Sequence, residues 1–316
     1  MSSALVLGGG GLTGQAFHLG VLCALAEQTG YDGRHPDLLV GTSAGSLVAS
    51  TLAAGFSAAD QAALMLGDAL SAEGARKLEV RKPAVAYDAD PLPRGRRPLA
   101  PLAVLAAARR PWGIRPGAVA SALIPAGRTT TEGIRRSIGP LHGTDWPESL
   151  RVCAIRARDA RRVVFGAPGA PPADVGAAVA ASCAIPGYFT PVRIGGQSYV
   201  DGGGHSPTNA DVVLRDRPGL VVISSPMSFA PGHGGRPADA VVRLAVRRYL
   251  AREVRRLRKA GSTVVVFQPS AADLAAMGLN PMKLLRGQQV LDSAATTVRH
   301  RLAARPELRD LLAGTR

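Results

Sequence analysis

Gly41-Thr42-Ser43-Ala44-Gly45 places a serine where nucleophilic chemistry is natural. The segment fits G-x-S-x-G, in which a serine sits on a sharp strand-to-helix turn and glycines two residues to either side avoid side-chain collisions in a crowded backbone. The positive end of the following helix favours an oxyanion at that spot. A serine hydroxyl is a poor nucleophile until a base takes its proton. The histidines are His18, His35, His142, His205, His233 and His300, and none stands in a triad pattern. Only His205 lies close to a suggestive acid. That acid is Asp201, in Asp201-Gly202-Gly203, at the end of a predicted strand from which it could reach across to Ser43. A desolvated, hydrogen-bonded carboxylate can accept the proton directly. Taken by itself, Asp-Gly-Gly is better read as a plain turn.

Gly9-Gly10-Gly11-Leu12-Thr13-Gly14 adds a second glycine pattern, G-x-G-x-x-G after an apolar run. One reading is a dinucleotide site, with pyrophosphate at the helix N-terminus and an acid about 20 residues on, for which Asp32 is a loose candidate. No Gly-Lys-Ser/Thr follows, which excludes a P-loop. The same unobstructed amides can also form an oxyanion hole. With a nucleophile turn on the next predicted strand, the oxyanion reading is preferred.

These residues need a scaffold. Residues 4–7 form a short apolar run ending in glycine, as a buried strand does. A helix is predicted over 17–28, stopped by Gly30. Residues 37–40 predict a second strand and 46–54 a helix after the serine turn. Further strands are expected at 150–157, 161–165, 197–200, 220–224 and 263–267, and an Ala-rich helix at 174–182. Ser206-Pro207 looks like a helix start, with proline at the first position. A basic helix is expected at about 238–259. Its apolar side is Val242, Val246, Leu250, Val254 and Leu257; Arg248, Arg252, Arg255, Arg256 and Lys259 form its charged side. The pattern predicts a three-layer α/β/α fold with a mainly parallel sheet, its site near the C-terminal ends of the strands.

Together these motifs resemble the patatin-like phospholipases. The resemblance runs from Leu5-Val6-Leu7 and the glycine loop, through Gly41 to Gly45, to Asp201-Gly202-Gly203. It includes Ala181-Ser182-Cys183-Ala184-Ile185-Pro186-Gly187-Tyr188-Phe189-Thr190-Pro191, which is similar to the family's stretch before the acid. It covers residues 4–55 and about 145–212. It implies a Ser-Asp dyad without histidine: Ser43 as nucleophile, Asp201 as base, an acyl-serine intermediate, and oxyanion stabilisation by Gly9, Gly10 and Gly11. Gly14, Gly41, Gly45, Gly202 and Gly203 support the motifs, and the family needs no metal or cofactor. Thr13 departs from the pattern, since the family often has Arg or Lys there, and the segment after Gly14 is one residue longer than usual.

The implied substrate is an acyl ester of a phospholipid, lysophospholipid or related lipid. A non-catalytic lipid- or membrane-binding protein is the alternative, and a nucleotide-binding α/β enzyme follows it. A single domain over 1–316 is expected, with a basic, proline-rich insertion at about 76–128 that could serve as a cap. A basic C-terminal helical region begins at about 236. Lys and Arg number 38 against 23 Asp and Glu, a formal charge of +15. Such a surface attracts anions, and Arg94 to Arg97 and Arg248 to Lys259 suit peripheral contact with an anionic membrane. No recognisable nucleic-acid module is present, so none is expected to bind. Three scattered cysteines, Cys23, Cys153 and Cys183, suggest buried thiols rather than disulfides or a zinc site. The first residues lack the pattern of a signal peptide, and a cytoplasmic protein is expected.

Overall fold

A computed structural model describes residues 1–79, 116–230, 240–283 and 286–314. The expected cap and the basic patch at Arg94 to Arg97 lie largely or wholly outside these residues.

The chain opens with β1 (Ser3–Leu7), α1 (Gly11–Thr29), β2 (Leu38–Thr42), α2 (Ala44–Ala53), α3 (Ala58–Leu66) and α4 (Ala72–Glu79). It continues with α5 (Pro116–Leu123), α6 (Glu132–Ile138), β3 (Leu150–Arg156), β4 (Arg161–Phe165) and α7 (Val175–Ser182). Then come β5 (Val192–Ile194), β6 (Gln197–Asp201) and β7 (Leu220–Ser224). The last part holds α8 (Ala240–Lys259), β8 (Thr263–Phe267), α9 (Ala271–Met277), α10 (Gly287–Ala303) and α11 (Pro306–Ala313).

All eight strands form one sheet, ordered β5-β6-β3-β2-β1-β7-β8, with β4 also on β3. Pairs among β3, β2, β1, β7 and β8 are parallel, whereas β4, β5 and β6 add antiparallel pairs. Alternate side chains of a strand face opposite ways, and both faces of this sheet are covered. Leu5, Leu7 and Leu39 join α1, α2, α7 and α10 in the larger core. Ala4, Val6, Val40 and Ile223 pack against Leu250, Val254 and Leu257 of α8 in the smaller. The result is the expected three-layer α/β/α arrangement.

The placement of β2 and β6 matters most. Thr42 of β2 lies opposite Cys153 of β3, and Asp201 of β6 lies opposite the next residue, Ala154. β4 takes the other edge of β3 from Val152 to Arg156. β2 and β6 therefore share one edge of β3 and meet end to end. Asp201 does end its own strand, but that strand runs against the parallel ones; the acid approaches the serine head-on.

Three local expectations are corrected. α1 starts at Gly11 rather than Phe17, because the glycine loop turns directly into helix. Ser206-Pro207 starts no helix; the Ser206 hydroxyl instead bonds the Glu253 carboxylate at 2.7 Å, and a 3-10 turn follows at Ala210–Leu214. Val242 is 55% exposed, so the apolar side of α8 begins at Val246, where the helix meets the core.

Candidate active site

Ser43 stands between β2 and α2 with φ 52° and ψ −124°. A non-glycine residue there carries a local cost of roughly 1–3 kcal/mol, so its neighbours must enforce it. Two of them are glycines because backbone comes too close for a side chain. A Cβ at Gly41 would strike the Ser46 backbone, and one at Gly45 would land on the Leu7 carbonyl. The Ser43 amide donates to the Ser182 hydroxyl at 2.8 Å, and that hydroxyl donates to the Cys153 carbonyl at 2.6 Å. The Ser46 hydroxyl donates to the Ser43 carbonyl at 2.6 Å.

Asp201 is 6% exposed. Burial pushes its carboxyl up to about 6, against the opposing pull of the Gly203 amide and the nearby Ser43 hydroxyl. The Gly203 amide donates at 2.7 Å. A Cβ at Gly202 would collide with the Cys153 carbonyl, so glycine there lets the chain turn away tightly against β3. The His205 amide closes this turn on the Gly202 carbonyl.

The glycine loop runs past Ser43 between β1 and α1. The Gly9 amide donates to the Pro207 carbonyl at 2.7 Å, so it is occupied and does not serve as the oxyanion donor the sequence suggested. Among the described residues, the Gly10, Gly11 and Ala44 amides have no acceptor; they lie at or just before the first turns of α1 and α2, whose N–H groups have no intrahelical partner. Gly11 has φ 61° and would also meet the Pro281 carbonyl at 2.6 Å if it carried a Cβ. Gly14, in the first turn of α1, lets the helix start pack beneath Pro226. Thr13 is buried, and its amide donates to the Pro281 carbonyl at 3.2 Å. Asp32 is removed from the site altogether: it precedes β2, at the opposite end of the sheet, and is tied to Arg34 at 2.6 Å. That leaves the dinucleotide reading without its acid.

A cavity of about 380 Å³ opens at Ser43, lined chiefly by apolar groups including Leu12, Leu47, Ile134, Phe189 and Met282. This volume falls within the usual range for small-molecule sites, about 300–1,000 Å³. One wall is fixed by a short pairing of Thr129 with Phe189.

Several supporting residues escaped the sequence reading. His18 is fully buried under the loop, its Nδ1 2.7 Å from the Ser224 hydroxyl and its Nε2 2.7 Å from the Gly8 carbonyl. Since a carbonyl only accepts, Nε2 carries the proton and Nδ1 accepts from Ser224. Burial pushes its pKa down to about 4, so the ring stays neutral. Glu253 of α8 reaches the loop after Asp201. It accepts from the Ser206 and Thr208 hydroxyls, each at 2.7 Å, and from the Ala210 amide at 3.0 Å. Asn209 of that loop donates to the Thr42 hydroxyl at 3.1 Å, linking the acid's loop to the serine's strand. No local sequence pattern announces such long-range bonds.

A sequence profile of patatin-like phospholipases matches residues 5–214. The chain belongs to the patatin-like phospholipase family. The match spans the glycine loop, the serine turn, Ser182 and Asp201, and it ends with the 3-10 turn before β7. Glu253 and Met282 lie outside it. A crystal structure of VipD from Legionella pneumophila is similar, with TM-score 0.44 and 16% identity over 96% of this chain and 67% of that one. No curated protein sequence matches. Patatin-like phospholipases are in general lipid acyl hydrolases. Among the described residues of this member, no helix is long and apolar enough to cross a membrane.

Proposed function

We propose that this protein hydrolyses acyl esters of lipids through Ser43 and Asp201, by way of an acyl-serine. The observation that carries this reading is the buried Asp201 carboxyl, pushed up to about 6 and brought beside the serine turn where β6 and β2 meet on one edge of β3. A base titrating near working pH couples adequate ionisation with adequate proton affinity. As Ser43 Oγ bonds to the ester carbonyl carbon, its proton passes to Asp201. The carbonyl oxygen becomes an oxyanion, met by the Gly10 and Gly11 amides and by the positive N-termini of α1 and α2. Collapse breaks the ester C–O bond, and the departing alcohol takes the proton from Asp201. Water then gives its proton to Asp201 and attacks the acyl-serine, and the acid leaves with Ser43 restored.

The apolar cavity beside Ser43 supports an acyl chain as the group held there. The exposed arginines of α8, Arg248, Arg252, Arg255 and Arg256, support peripheral contact with anionic lipid surfaces. The test is a panel of p-nitrophenyl and phospholipid esters with wild type, Ser43→Ala and Asp201→Asn, alongside fluorophosphonate labelling. Both variants should lose hydrolysis, and Ser43→Ala should lose labelling. Full turnover by either variant overturns the dyad.

A further inference from the structure

A second cleft, of about 740 Å³, lies along β8 between α8 and α10, and it shares no lining residue with the cavity at Ser43. Its floor is apolar, with Val21 of α1, Val254 of α8, Val264 of β8 and Val298 of α10. Four arginines line it: Arg247, Arg258, Arg301 and Arg305.

The arginines are arranged rather than scattered. β8 is an edge strand, so its outer carbonyls need partners. Arg258 donates to the Val264 carbonyl at 3.4 Å, and Arg301 donates to the Val266 carbonyl. Those carbonyls are two residues apart, about 6.6 Å along a strand. Arg301 also stacks 4.8 Å from the Phe267 ring centre, and Arg247 lies 5.1 Å from that of Phe229. A guanidinium has five N–H donors, so both strand-bound arginines keep donors to spare. Among the described residues, none of the four has a carboxylate partner. Burial, and then the charge of Arg305, lower the pKa of Arg301. Arg247 and Arg301 are half-buried while Arg258 and Arg305 stand at the exposed mouth, and an anion among these like charges would relieve their repulsion.

The shape narrows the occupant. A peptide strand cannot add to β8 where arginines already hold its carbonyls. A second copy of a chain with charge +15 is repelled. A nucleotide needs polar partners, yet the Ser270 and Thr297 hydroxyls are already committed to Asp273 at 2.8 and 2.9 Å. What remains is a long apolar body with one compact anionic head, and a planar carboxylate matches the guanidinium fork.

We propose that this cleft binds a long-chain fatty-acid carboxylate, with its head between Arg258 and Arg301 and its tail along the valine floor. This binding does not depend on the reaction assigned to Ser43. The test titrates oleate into Ser43→Ala protein by calorimetry, so that turnover plays no part. With the cavity at Ser43 also filled by Met282→Trp, one oleate should bind per chain, and methyl oleate, acetate and inorganic phosphate should bind far more weakly. The Arg258→Gln, Arg301→Gln pair should weaken oleate roughly tenfold or more. Since Arg301 also caps the strand, Arg305→Glu, at an exposed site, gives a second reading and should weaken oleate without lowering Tm. Met282→Trp, which fills the cavity at Ser43, should leave oleate affinity unchanged. Unchanged oleate affinity in both arginine variants overturns the proposal. So does loss of binding in Met282→Trp, equal binding of methyl oleate, or equal binding of acetate or phosphate.

Discussion

The Ser43 amide and the Ser182 hydroxyl are joined at 2.8 Å, and the same hydroxyl is anchored on the Cys153 carbonyl. One side chain from the end of α7 thus holds the strained turn of β2 against β3. Ser182→Ala leaves a buried amide without an acceptor, which costs about 1–3 kcal/mol. Denaturant unfolding should show that loss. Ester kinetics should show a lower kcat with little change in KM, since the substrate touches Ser43 rather than Ser182. A kcat equal to wild type rules out a role for this bond in holding the serine.

Asp201 links activity and stability in opposite senses. Its carboxyl is raised from 3.8 to about 6. Between those values the folded protein holds a proton that the unfolded chain has released, so stability falls as pH rises through the window. Above it the ionised group costs on the order of 3 kcal/mol. Asp201→Asn should therefore gain Tm at pH 7.5 relative to wild type and little at pH 3.5, while losing roughly 10²–10⁴-fold in kcat. Wild-type kcat/KM should rise with pH through an apparent pKa near 6. A profile flat from pH 5 to 8 speaks against Asp201 as the base.

The glycine loop separates two roles that look alike in sequence. A Cβ at Gly10 would lie 2.7 Å from the Pro226 ring and 2.8 Å from Gly14, whereas one at Gly9 first meets the Ser43 Cβ at 3.4 Å, an ordinary contact. Gly10→Ala should displace the amide proposed to meet the oxyanion and cost about 10²-fold or more in acylation rate. Gly9→Ala should lose less stability, by comparison of Tm. Equal losses in both quantities would sink the assignment of distinct roles.

Met282 narrows the cavity from a segment beyond the family match. Met282→Trp should shorten the space for an acyl chain. Turnover of p-nitrophenyl palmitate should fall about tenfold relative to the acetate ester, since each methylene in an apolar pocket is worth roughly 1–3 kcal/mol. An unchanged ratio places the chain elsewhere.

Much of this site could be read from the chain itself. An apolar run into G-x-S-x-G leaves few options for the backbone, so β2, the Ser43 turn and α2 were all legible. So was the three-layer arrangement, because strand-length apolar runs alternate with helical patterns. What the sequence hid is pairing across distance. Gly9 and Gly10 are chemically identical in the sequence, and what distinguishes them is packed from far along the chain: the Pro207 carbonyl that Gly9 meets and the Pro226 ring against Gly10. Glu253 sits on a helix that reads as a basic surface, yet it is 1% exposed and points inward. The start of α1 was misplaced because glycines normally argue against helix, while here tight packing under Pro226 and Pro281 outweighs that preference.

The end-to-end meeting of β2 and β6 on one edge of β3 also has a consequence in time. Chains emerge from the ribosome N-terminus first, and the serine turn lies within the first 45 residues. Asp201, the base proposed for it, arrives only when β6 has been made and has docked beside Ala154, and the Glu253 brace comes later still. A growing chain therefore carries Ser43 long before Ser182, which holds its turn, and Asp201, which faces it, have been made. Any reaction that needs both Ser43 and Asp201 begins only once the far edge of the sheet has closed.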